Sequence, residues 1–125
     1  MYHIKKTFSF DSCHCLVLDY PSKCVNKHGH TWEVTVHCKT EKLNHNGMVL
    51  DFTEFNKIKE FLDHKTLNDI LPFNPTAENL AEWIGQQVNE VLWKQFSAEG
   101  VPVVNGCVQV DVQETAGNVA TWTLD

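Results

Sequence analysis

Apolar and polar residues alternate at the two ends of this chain and recur at helical spacing in its middle. In residues 2–17, Ile4, Phe8 and Phe10 share one parity that His14 and Leu16 continue, which predicts a first strand with His14 pointing where the phenylalanines point. A loop over 19–27, broken by Pro21, leads into a second strand. There His30, Trp32, Val34, Val36 and Cys38 share one face, and Thr31, Glu33, Thr35 and His37 the other. Asn46-Gly47 carries the signal of a type I′ turn. From Thr53 to Leu62, the spacing of Phe55, Ile58, Phe61 and Leu62 predicts a helix. A longer helix starts at Pro75-Thr76 with Glu78 in its first turn, carries Leu80, Ile84, Val88, Val91 and Leu92 to about Phe96, and stops before Gly100 and Pro102. Val108, Val110 and Val112 then alternate with Gln109, Asp111 and Gln113, and Ala116-Gly117-Asn118 turns the chain into a last strand through Trp122 and Leu124.

The order strand, strand, helix, helix, strand, strand predicts an α+β domain, a four-stranded antiparallel sheet with two helices on one face. Its edge strands are open, so pairing between subunits into a symmetric oligomer is expected. At 125 residues the chain, 1–125, reads as a single domain with one core and room for one site. The formal charge of −6 argues against nucleic acid and anionic membrane as partners, since both demand a dense basic face. No apolar run approaches the ~20 residues that span a bilayer, and the first residues lack the apolar segment of a secretory signal, so a cytoplasmic location is expected. Five cysteines, an odd number without framework spacing, fit a reducing compartment in which thiols serve as ligands or catalysts.

Chemistry concentrates in Cys24-Val25-Asn26-Lys27-His28-Gly29-His30. Two residues apart on an extended chain, His28 and His30 project to one side, as a pair of imidazoles on one metal must, and Gly29 keeps the space between them clear. With His14 from the neighbouring strand they form a candidate zinc site of three imidazoles and one open position, a catalytic rather than structural pattern. Cys24 is either a fourth ligand that closes the site or a free thiolate beside the metal acting as base. Cys13, Cys15, Cys38 and Cys107 read as small buried hydrophobes. Asp63-His64 after the first helix is either a surface cap or a carboxylate-oriented imidazole suited to proton relay. Glu114 continues the parity of Val108, Val110 and Val112, so it faces inward and needs a partner: a backbone amide, a lysine, or a ligand with paired N–H donors. His3, His37 and His45 read as surface residues.

Phe8-Ser9-Phe10 leading to His14, Cys-x3-His-Gly-His at 24–30, Gly47-Met48-Val49-Leu50-Asp51-Phe52, Leu62-Asp63-His64 with Leu67-Asn68, Pro75-Thr76-Ala77-Glu78-Asn79 and Glu114-Thr115 together resemble the 6-pyruvoyl-tetrahydropterin synthase superfamily. The likeness covers nearly the whole chain. Three residues between Cys24 and His28 are similar to the bacterial 6-carboxy-tetrahydropterin synthases of queuosine biosynthesis. The resemblance implies a tunnelling fold assembled as a homohexamer, a dimer of trimers with sites at subunit interfaces. It implies zinc on His14, His28 and His30, Cys24 as the proton-abstracting base, and His64 with Asp63 as proton relay. Glu114 would anchor the pterin, with Thr76 and Ala77 beside its ring. The implied reaction turns 7,8-dihydroneopterin triphosphate into 6-carboxy-5,6,7,8-tetrahydropterin, acetaldehyde and triphosphate; the alternatives are a 6-pyruvoyl product on the same site or a noncatalytic structural zinc protein. Lys27 and Lys65 lie near the motifs as candidates for the triphosphate. Cys13 and Cys15 around His14 depart from the family pattern.

Overall fold

The computed structural model describes residues 1–125. Four strands, β1 (Tyr2–His14), β2 (His28–Thr40), β3 (Gly106–Thr115) and β4 (Asn118–Thr123), form one antiparallel sheet in the order β1-β2-β3-β4. Between β2 and β3 lie α1 (Phe55–Leu62), a single turn α2 (Leu67–Ile70) and the long α3 (Ala77–Ala98). The core lies between the sheet and these helices. Phe8 and Phe10 of β1, Trp32, Val34 and Val36 of β2, and Val110 and Val112 of β3 are buried against Leu62 of α1 and Leu80, Ile84, Val88 and Leu92 of α3. Each such side chain contributes about 1.5–3 kcal/mol by leaving water. Phe10 and Trp32 face each other across the ladder, ring planes 7° apart.

α3 begins as its sequence predicts. Thr76 Oγ1 accepts the Asn79 N–H, and Glu78 lies in the first turn, where a negative charge suits the helix dipole. At the other end Gly100, at φ 69°, turns the chain so that the Val101 N–H returns to the Phe96 carbonyl.

Two expectations, the end of β1 and the turn at Asn46-Gly47, need correction. β1 stops at His14 instead of reaching residue 17, because the loops take over its backbone. The Leu16 N–H donates to Cys24 O, and the side-chain amides of Asn68 and Asn74 pair with the backbone of Cys15 and Val17. β2 begins at His28, directly after the expected loop, so both paired histidines belong to the strand. Asn46-Gly47 is not a type I′ turn, which needs positive φ at both residues; only Gly47 has it, and the Asn44 side chain instead accepts the N–H groups of Asn46 and Met48.

Candidate metal centre

The β1–β2 register assembles the site. His14 pairs directly with His28, and Ser12 pairs with His30, so three imidazoles meet at the end of a ladder that runs the full length of both strands. Their ring centroids are 4.6, 5.2 and 4.9 Å apart, and Trp32 packs edge-on against His14 and His30. His14 Nδ1 donates to Pro75 O (2.8 Å) and His28 Nδ1 to Asn26 O (2.7 Å), which leaves each Nε2 as the lone-pair atom. The Nε2 atoms of His14 and His30 are buried without a hydrogen-bond partner. Burial holds both imidazoles below the ordinary histidine pKa, against the Pro75 carbonyl at His14 and the Glu114 carboxylate at His30. Neutral rings with orphaned, converging nitrogens fit a metal ion.

Glu114 joins this cluster. Its Oε1 lies 3.1 Å from His30 Nε2, and one ligand atom from each of His14, His28, His30 and Glu114 falls within 4.8 Å of the others. The inward parity read from the sequence is correct, and the carboxylate's neighbour is a histidine of the cluster. Gly29 does not clear space between the two imidazoles as expected. It points to the opposite face, and a Cβ there would meet only Cys13 Cβ at an ordinary 3.9 Å.

Cys24 sits on the short 3-10 turn Lys23–Val25, where the Ser22 hydroxyl accepts its N–H. The thiol lies outside the donor cluster but lines a cavity of about 550 Å³ with His28, His30 and Glu114. Of the two roles left open by its spacing, this placement fits the free thiol. Lys23, Thr115 and Asn118 complete the cavity; Thr115 belongs to the Glu114-Thr115 motif, whereas Lys23 and Asn118 lie in none of the motifs. Neither Lys27 nor Lys65 lines it. A neighbouring cavity of about 460 Å³ shares Glu114 and Asn118 and adds Ala77, Glu78 and Gly117. Thr76 lines neither cavity, and its hydroxyl accepts the Asn79 N–H at the start of α3.

Asp63 and His64 are brought elsewhere. The segment from Leu62 to Thr66 is stapled along β1: Asp63 Oδ1 accepts the Asp11 N–H, the His64 N–H donates to Asp11 O, and the Cys13 N–H donates to Lys65 O. Ser12 Oγ ties the same segment, donating to Leu62 O and accepting the Lys65 N–H. The Asp11 N–H, with His64 beside it, holds the Asp63 carboxyl below its ordinary range. His64 Nδ1 is 2.9 Å from Asp63 Oδ2, its side chain is 78% exposed, and its backbone adopts φ 56°, a left-handed conformation uncommon outside glycine. The pair is oriented, but it lines neither cavity.

The remaining cysteines divide. Cys38 and Cys107 are fully buried cross-strand partners, and their mutual contact and burial push the Cys38 thiol up. Cys13 and Cys15 are only partly buried, contrary to expectation; Cys13 Sγ lies 3.3 Å from Thr66 Oγ1.

A profile of the family described as 6-pyruvoyl tetrahydropterin synthase matches residues 3–124. The chain belongs to that family. A Pyrococcus horikoshii relative, provisionally named 6-carboxy-5,6,7,8-tetrahydropterin synthase, is 36% identical over 113 residues, covering 67% of this chain and 71% of its own length. The 6-carboxy-5,6,7,8-tetrahydropterin synthase of Bacillus subtilis is 28% identical over 122 residues, covering 91% and 80%. A Pyrococcus furiosus relative, 37% identical over 91 residues and covering 67% and 72%, is named dihydroneopterin monophosphate aldolase. Among solved structures, the 6-pyruvoyl tetrahydropterin synthase of Caenorhabditis elegans superposes with a TM-score of 0.69 at 23% identity, covering 99% of this chain and 96% of that one. This 6-pyruvoyl tetrahydropterin synthase-family chain therefore has the tunnelling fold. Its buried cluster of three histidines and Glu114 can hold a metal ion. No helix is long and apolar enough to cross a membrane.

Proposed function

We propose that this chain converts 7,8-dihydroneopterin triphosphate and water to 6-carboxy-5,6,7,8-tetrahydropterin, acetaldehyde and triphosphate, at a zinc ion held by Nε2 of His14, His28 and His30. The observation that carries the reading is the strand register that gathers three imidazoles beside a cavity that Cys24 also lines. When bound, zinc supplies Lewis acidity to the oxygens of the substrate side chain, which acidifies the neighbouring C–H bonds. Cys24, on the same cavity wall, removes a carbon-bound proton. Glu114 pairs its two oxygens with the pterin's ring N–H and exocyclic amine, fixing the ring between Ala77 and Asn118. Lys23 is the cation on the cavity wall available to the phosphates.

Proton relay by His64 and Asp63 then comes from a neighbouring copy, since within one chain the pair lies along the β1 edge. Both β1 and β4 are edge strands, and pairing of such edges between copies would build the homohexamer, a dimer of trimers. The free cysteines and the acidic charge are consistent with a cytoplasmic enzyme of queuosine biosynthesis.

Two other reactions compete on the same site. A 6-pyruvoyl synthase keeps the three-carbon side chain, and an aldolase, the activity in the name of the Pyrococcus furiosus relative, leaves phosphate on the released aldehyde. Incubating the zinc-loaded protein with 7,8-dihydroneopterin triphosphate separates them by pterin mass and by the aldehyde released. A 6-carboxy product with free acetaldehyde is expected; a retained three-carbon chain or a phosphorylated aldehyde refutes the assignment.

A further inference from the structure

Glu114 stands where two demands meet. Its Oε1 is 3.1 Å from His30 Nε2, yet that buried nitrogen has no hydrogen-bond partner, so the two atoms lie side by side and are not joined along an N–H direction. Two lone-pair atoms at that separation are spaced like neighbouring donors on one zinc, which tetrahedral bonds of about 2.1 Å set ~3.4 Å apart. The same residue walls the adjoining cavity with Ala77 and Gly117, on the side where the pterin ring is placed in the reading above. A bidentate hydrogen-bonded pair with a pterin edge uses both carboxylate oxygens. A metal bond uses one of them, so the two engagements exclude each other at full strength.

We propose that Glu114 is a metal donor in the ligand-free protein and leaves the metal when a pterin edge binds it, so that the fourth coordination position opens only once the ring is seated. The inference rests on the pterin reading of the site and goes beyond it by coupling ring recognition to metal coordination. The resting site then has the closed donor set typical of structural zinc, and the loaded site the three-histidine set typical of catalytic zinc. Glu114 acts here as a gating donor, and Cys24 remains outside the coordination sphere in both states.

Cobalt(II) in place of zinc reports the donor set through its visible absorption. Wild type, Glu114→Gln and Glu114→Asp are first compared by circular dichroism and thermal unfolding to establish that they fold. Glu114→Gln is then expected to change the cobalt spectrum of the ligand-free protein and weaken cobalt affinity by about tenfold or more, while Glu114→Asp, which keeps the charge on a shorter arm, falls between. Titration with neopterin, an unreactive oxidised pterin, is expected to move the wild-type spectrum toward that of Glu114→Gln and to leave the variant's spectrum unchanged. Identical wild-type and Glu114→Gln spectra and affinities overturn the proposal, even where synthase activity is intact. A wild-type spectrum that stays fixed while neopterin fluorescence shows saturation also overturns it. If wild type neither binds neopterin nor turns over the triphosphate, the synthase reading and the gating fall together, whatever Glu114→Gln does to the metal.

Discussion

Replacing Gly85 with alanine sets two effects of opposite sign against each other. In an exposed helix the change stabilises by about 1 kcal/mol, because glycine carries the larger backbone entropy cost. Gly85, however, lies in α3 where the helix crosses Trp122 of β4, and a Cβ built on it falls 2.7 Å from Cε3, 3.0 Å from Cη2 and closer still to Cζ3 of that indole. Carbon atoms prefer about 3.5–4.0 Å, so the overlap is of the order of an ångström against a flat, rigid ring. Trp122 is half-buried and its backbone is held opposite Val110 in the ladder, so the ring escapes only by leaving its rotamer or by moving the hairpin. Overpacking of this kind costs about 1–3 kcal/mol, which outweighs or cancels the helix gain and leaves a net loss of up to ~2 kcal/mol. The β3–β4 hairpin that would move carries Glu114 and Asn118, so looser metal binding is expected alongside the lower stability.

The assay is urea unfolding of the metal-free protein at one fixed concentration, because subunit association would otherwise shift the midpoint. Trp122→Leu supplies the control, since it removes the ring that the new methyl meets. In that background Gly85→Ala is expected to become stabilising by about 1 kcal/mol, giving a coupling of roughly 1–3 kcal/mol between the two sites. Additivity of the two substitutions within ~0.5 kcal/mol, or a stabilising Gly85→Ala in the wild-type background, would refute the close-approach argument.

Three further outcomes are expected. His28→Ala should lose zinc in metal analysis of the purified protein, whereas Cys24→Ala should retain zinc and lose turnover; release of zinc by Cys24→Ala would make the thiol a ligand and support the structural-zinc alternative. Asn89→Ala removes the side chain that accepts the Cys107 N–H at 2.7 Å and donates to its carbonyl in the core, so a loss of about 2–3 kcal/mol in urea unfolding is expected, and a loss under ~0.5 kcal/mol would contradict the pairing. The Glu99 carboxyl is held below its ordinary pKa by the His45 side chain and then by the His45 N–H. A lowered carboxylate pKa contributes stability above the ordinary carboxylate range that is lost as pH falls through the folded value. The difference in melting temperature between wild type and Glu99→Gln should therefore be present above about pH 5 and fade below about pH 4; a gap independent of pH would show that charge plays no part.

The elements were legible where one face is buried. Along β1 and β2 the period of two named the inward residues, and that same parity put His14, His28 and His30 on one side of the sheet. What periodicity does not carry is the register between strands. Only the pairing of His14 with His28 makes three inward histidines into one cluster, and that pairing depends on a loop of thirteen residues (15–27) whose path is fixed by long-range contacts from Asn68 and Asn74. The place of Asp63 and His64 was hidden for a related reason. Their backbone is fixed by Asp11 through Cys13, some fifty residues earlier, and no local signal in Leu62-Asp63-His64 records that contact. Lys23 carries no sequence signal, because a lone lysine on a polar loop has no pattern of its own, although it directly precedes Cys24.

The site is built at a cost that the surrounding structure must meet. A buried imidazole nitrogen without a partner costs about 1–3 kcal/mol, and His14 and His30 each present one. In a flexible loop such rings would turn outward to find water. Here His14 is fully buried, held at Nδ1 by the Pro75 carbonyl and edge-on by Trp32, so its free nitrogen stays aimed at the common centre. The Pro75 carbonyl lies just ahead of the Thr76 cap of α3, so the longest helix, the β1–β2 pair and the ligand geometry depend on one another. A metal ion that satisfies the orphaned nitrogens returns their cost as binding free energy, which couples metal affinity to the integrity of the fold. The strain sits at the one place where a bound ion can relieve it, and this is why the same residues that weaken the metal-free core define the chemistry of the protein.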